Sequence, residues 1–178
     1  MTIRQPGGHI DHLLRQTRMN LIQLSSMADM KASMLVTVAS VVMTLAARYL
    51  EQPELRAAVI VLGLFCLLTV VLATYAAMPG ISLSPGAGTP DLSSSSFNIL
   101  FFGDFAGMRY DDYRDAMERA LDDHNQTYEI MVREVYTLGQ FLAFRKYRYV
   151  RLAYIAFIAG LVSSVVAIAL SGASTIAH

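Results

Sequence analysis

Asp29 and Lys31 stand beside a long apolar run, in the segment NLIQLSSMADMKASML. A charge at that depth costs free energy unless it is paired or used. Lys31 can extend along its own methylenes to a lipid phosphate. A carboxylate gains nothing comparable from anionic headgroups, so Asp29 is expected to pair with Lys31 or with one of Arg145, Lys146 and Arg148. That pairing predicts a charge cluster at the inner membrane interface. The run FRKYRYVR suits a helix entering a bilayer, with Tyr147, Tyr149 and Tyr154 at headgroup level. The same cations and rings would also hold a phosphodiester and stack on a base.

Other reactive side chains offer less. His9 and His12 lie one helical turn apart with Asp11 between them, which is the edge of a metal site or a pair of solvated imidazoles. His124, beside Asp122 and Asp123, reads as a histidine packed between helices or as a pH or ligand contact. Cys66 is the single cysteine and sits in an apolar stretch, so it has no disulfide partner within the chain and is expected as a packed or lipid-facing thiol. Neither GxGxxG nor GxxxxGK[ST] occurs, and no nucleophile stands beside a base, so no catalytic residue, metal or enzyme activity is expected.

The elements that must position these groups are helices in a membrane. Of the 178 residues 54% are hydrophobic and 16% charged, with mean hydropathy +0.44. That is too apolar for an ordinary soluble domain. Residues 57–78 are 22 in a row without a charge, enough at 1.5 Å per residue to cross roughly 30 Å of hydrocarbon. Residues 152–171 form a second such span, and 32–50 a third whose Ser and Thr hydroxyls can bond back to the helix. The N-terminal segment has no hydrophobic stretch after its basic residue, so no cleavable signal is expected.

Of the 14 Lys and Arg, only Arg48, at the end of the 32–50 span, and Arg56, just before the 57–78 span, lie on the side of the short loop between those two. The positive-inside rule therefore puts residues 1–31 and 79–151 in the cytosol, with a periplasmic loop at 51–56 and a periplasmic tail at 172–178. Ile10, Leu14, Thr17, Leu21, Leu24, Ala28 and Lys31 repeat at spacings of four and three, a helix seam running without Pro or Gly into the first span. Met117, Leu121, His124, Tyr128, Met131, Val135, Leu138 and Leu142 keep the same rhythm and predict one long helix over 110–151 leading into the last span. Residues 79–98 read as a Ser/Gly/Pro-rich linker. The aromatic segment 97–108, with four phenylalanines in nine residues, should dock on the helices, lie at the bilayer surface or line a ligand site. No acidic or basic residue lies deep in a span, which disfavours a transporter. The predicted fold class is an all-α membrane protein with three transmembrane helices, the first and third continuous with cytosolic helices that form a bundle.

Three motifs carry a family resemblance: N-L-x-Q-L-S-x-M-A-D-x-K-A-S over 20–33, N-I-L-F-F-G over 98–103, and R-K-Y followed by R-L-A-Y over 145–154. From about His9 to Leu170 the chain resembles the small membrane effectors of Pycsar antiphage systems. The resemblance implies an inner-membrane effector, not an enzyme, that is activated by cyclic UMP or cyclic CMP from a partner pyrimidine nucleotide cyclase. It further implies membrane disruption and abortive infection, with assembly as a homo-oligomer. Its matching positions make Asn20, Asp29, Lys31, Phe102, Gly103, Arg145, Lys146 and Tyr147 the ligand-binding or gating candidates. The alternative is a constitutive membrane scaffold or regulatory subunit that binds no nucleotide.

Overall fold

A computed structural model describes residues 7–78 and 97–176, with the side chains of Phe102, Gly103 and residues 172–176 outside that description. The linker expected at 79–98 therefore lies largely outside the described residues, as do the side chains of the expected C-terminal tail. Among the described residues there are helices and no strand. They are α1 (Gly8–Ala47), α2 (Pro53–Ala77), α3 (Phe102–Phe105), α4 (Tyr110–Asp122), α5 (His124–Phe141), a π-helical segment (Leu142–Tyr147) and α6 (Arg148–Ile176). Three stretches are long and apolar enough to cross a membrane: Gly8–Ala47, Pro53–Ala77 and His124–Ser171. The third joins α5, the π segment and α6 without a break. The first and last spans are thus extensions of longer helices.

The chain divides into two compact units: residues 1–24 with 79–142, and residues 25–78 with 143–178. In the second unit, Ala28, Ala32 and Leu35 of α1 meet Ala73 and Ala76 of α2 and Val150 and Ala153 of α6. Small side chains dominate this core because helices in lipid gain little from hiding apolar surface and must instead approach closely. Tyr149 meets Tyr75 edge-on at 4.6 Å between ring centroids, while Gly160 packs on Phe65, so α2 and α6 run antiparallel. Cys66 and Thr69 of α2 are fully buried. The hydroxyls of Thr37, Ser40, Thr44 and Thr69 each donate to the carbonyl four residues earlier, which satisfies them without a second helix. α1 ends at Ala47, and Pro53 opens α2 at a position where its missing N–H leaves nothing unpaired.

In the first unit the predicted single helix over 110–151 is broken. Asp123 is extended (φ −116°, ψ 120°) between α4 and α5, and its carboxylate accepts from the Asn125 N–H at 3.0 Å. An aspartate that caps the next helix stabilises a new start more than it stabilises a helix interior. Thr127 Oγ1 fastens the joint by donating to the carbonyls of Ala120 (2.9 Å) and Asp123 (3.1 Å). His124 consequently opens α5 as an exposed residue, not packed between helices. The aromatic segment docks: Phe101 lies 6.5 Å from Phe141 and Phe105 lies 5.2 Å from Tyr113, centroid to centroid, and Ile99 is buried.

A Cβ at Gly160 would overlap Phe65 Cβ, whereas one at Gly63 meets nothing. Gly160→Ala should therefore force α2 and α6 apart and destabilise the protein by about 1–3 kcal/mol. Gly63→Ala should be tolerated. Thermal unfolding of both variants in detergent, followed by circular dichroism, checks the contrast.

Candidate functional site

Lys146 lies on the π-helical segment, and its ammonium donates to Asp29 Oδ1 (2.8 Å), Asp29 Oδ2 (2.7 Å) and Ser25 Oγ (2.8 Å). An ammonium has three hydrogens, so its donors are fully used. The lysine side chain is 13% exposed and the aspartate 44%, so the cation is the more deeply buried partner. Of the partners open to Asp29 from sequence, the structure selects Lys146. Ser25 is the member that sequence does not single out, although it lies in the 20–33 motif, one turn before Asp29 on the same helix face.

The selected lysine sits in an irregular stretch of helix. A π turn is wider than an α turn and accommodates one extra residue, and Lys146 lies within it. The Leu142 N–H bonds to the carbonyls of both Gly139 and Leu138, closing the last turn of α5. Tyr147 packs on the three-helix core, and Arg145 is exposed. Lys31 and Asn20 are exposed on α1. Lys31 is therefore not drawn into the buried cluster. Phe102 and Gly103 lie in α3, and their side chains are outside the described residues. His9 and His12 are both exposed.

A second polar group forms in the first unit. Tyr128 Oη donates to Asp11 Oδ1 at 2.7 Å, tying α5 to α1. Arg18 Nε stands 3.0 Å from Glu134 Oε1, with the glutamate side chain 9% exposed. Burial pushes the Glu134 carboxyl above its usual range, and the nearby Arg18 charge pulls back only part of that rise. The Tyr128 hydroxyl is also raised, chiefly because it donates to Asp11. Neither Arg18 nor Glu134 is marked by a motif. Their pairing appears only once α1 and α5 are side by side.

A third feature lies in the aromatic segment. Asn98 is buried; its backbone N–H donates to Asp104 Oδ2 (2.8 Å), and its Oδ1 accepts from the Leu100 N–H (3.0 Å). Its Nδ2 is buried and has no hydrogen-bond partner. Leaving such a donor unpaired costs about 1–3 kcal/mol. Arg133 reaches the same segment, with Nη1 3.5 Å from the Phe97 carbonyl and Nη2 3.2 Å from Glu129 Oε1.

A family model described as the Pycsar effector protein domain matches residues 12–173. The chain belongs to the Pycsar effector family. No curated protein and no solved structure matches it. Membership makes this effector a component of antiviral defence in a system linked to a nucleotide cyclase, and its three apolar helices make it a membrane protein. The effector's 20–33 and 145–154 motifs meet at the Asp29–Lys146 pair.

Removing either partner of the pair should have unequal effects. Asp29→Asn strands a mostly buried cation and should cost about 2–4 kcal/mol, whereas Lys146→Met leaves a half-exposed carboxylate and should cost less. The double variant should recover part of the loss, measured by thermal unfolding in detergent. Glu134 gives a pH signature. Because its folded-state carboxyl is raised, the folded protein binds the proton first, and stability should fall as pH rises from the ordinary glutamate range through the raised value. Glu134→Gln should flatten that part of the melting-temperature profile.

Proposed function

We propose that this effector is an inner-membrane protein that cyclic UMP or cyclic CMP, made by a partner cyclase, converts from a closed to a membrane-disrupting state, so that the infected cell stops before phage multiply. The observation that carries the reading is the saturated Lys146–Asp29–Ser25 cluster, held beside the apolar runs of α1 and α6 in a chain of the Pycsar effector family. An ion pair with one partner mostly buried is a poor source of net stability and a good two-state contact, since stranding the buried cation is costly and the closed geometry is specific. Cation bias supports an N-terminus and residues 79–151 in the cytosol, with the C-terminus periplasmic. In that orientation the cluster lies at the cytosolic interface. α1 contributes to both compact units, so a ligand-driven change in the first has a continuous helix along which to reach the second. Assembly of several copies would then enlarge a local rearrangement into a leak.

Purified effector in liposomes should release a trapped dye on addition of cyclic UMP or cyclic CMP, and not with cyclic AMP. Inserted protein that neither binds these nucleotides nor releases dye would overturn the proposal and leave a membrane scaffold.

A further inference from the structure

We infer that Asn98 and Arg133 recognise the activating nucleotide, the Asn98 amide donating to a carbonyl oxygen of the pyrimidine and the Arg133 guanidinium holding the cyclic phosphodiester. The inference rests on the nucleotide-gated reading above and names its binding site.

Asn98 has one role left open to it. Its backbone N–H is taken by Asp104 and its Oδ1 by the Leu100 N–H, so the side-chain amide cannot turn over without breaking a bond, and Nδ2 remains as a buried donor that lacks an acceptor. A buried donor left without a partner fits an acceptor supplied from outside the chain. Uracil and cytosine both carry a carbonyl oxygen at position 2, an acceptor of the required kind.

Arg133 supplies the charge. It touches the carbonyl of Phe97, the residue just before Asn98, so cation and amide serve the same short segment. Its other contact is an ion pair with Glu129 one helical turn away, with the two side chains 36% and 50% exposed. Such a pair is weak, and a phosphodiester can take the guanidinium with little loss. The two groups thus match the two ends of a cyclic pyrimidine mononucleotide, a neutral carbonyl-bearing base and a monoanionic phosphate.

The burial of Nδ2 adds a mechanical requirement. The segment 97–105 must lift for a base to reach the amide, and its contacts on Phe141 and Tyr113 must then be remade around the ligand. Binding and rearrangement are therefore one event, as expected of a ligand that favours a second conformation.

The test is calorimetric titration of the full-length effector in detergent with cyclic UMP and with cyclic CMP. Asn98→Asp keeps the acceptor for the Leu100 N–H and removes the donor, and Arg133→Gln removes the cation. Both should weaken whichever nucleotide binds by at least about tenfold, and Arg133→Gln should also reduce the salt dependence of binding. Arg114→Gln, which alters an exposed ion pair on α4, should leave affinity unchanged. If the wild-type protein binds and the folded Asn98→Asp and Arg133→Gln variants bind equally well, this site is wrong while the nucleotide-gated reading stands. If Asn98→Asp does not fold, Arg133→Gln alone decides the site by the same criterion. Absence of binding to the wild-type protein defeats both.

Discussion

A lysine ammonium taken mostly out of water needs three acceptors, and around Lys146 they come from two residues of α1 one turn apart. Much of the second unit follows from meeting that need. Ser25 and Asp29 must share a helix face, so α1 must be regular there; Ala28 and Ala32 must be small, so that α2 and α6 can come close. The helix bearing Lys146 must aim it at α1 while Val150 and Ala153, one and two turns later, enter the core. Lys146 lies in the wider π turn that leads directly into α6.

The first unit solves the same problem with different chemistry. Its helices are tied by Tyr128 to Asp11 and Arg18 to Glu134, both between α1 and α5. Each bond joins a buried group on α5 to a more exposed partner on α1, so the desolvation is borne mainly by one side. Glu134 shows the cost in its raised carboxyl. The aromatic segment adds ring contacts where α1 does not contribute, on Tyr113 of α4 and Phe141 of α5.

Much of this is legible in the sequence, because uncharged runs and the absence of Gly and Pro over 9–50 leave few alternatives to long apolar helices. The need of Asp29 for a cation is legible for the same reason. Which cation is not, since Lys31, Arg145, Lys146 and Arg148 all stand near enough in the sequence pattern, and the one chosen lies in a π turn that no periodicity announces. The break at Asp123 is hidden by an apolar rhythm that continues through it, although two adjacent aspartates before His124 and Asn125 are a capping signal that outweighs the rhythm. Glu134 and Arg18 stand off the seams that mark the core, and composition does not say which glutamate is buried. Asn98 lies in a motif that the sequence does mark, yet its significance depends on Oδ1 being spent on Leu100, a matter of turn geometry and not of residue type.

The Gly160–Phe65 contact has a consequence for the surroundings of the protein as well as for its interior. Two helices brought together by shape alone, with no charge at the contact, are held by dispersion forces that the acyl chains of neighbouring lipids can partly replace. The closeness of α2 and α6 is therefore a competition between protein and lipid for the same surface. The cell's choice of fatty acids, through their length and unsaturation, becomes part of what sets how closely these two helices pack.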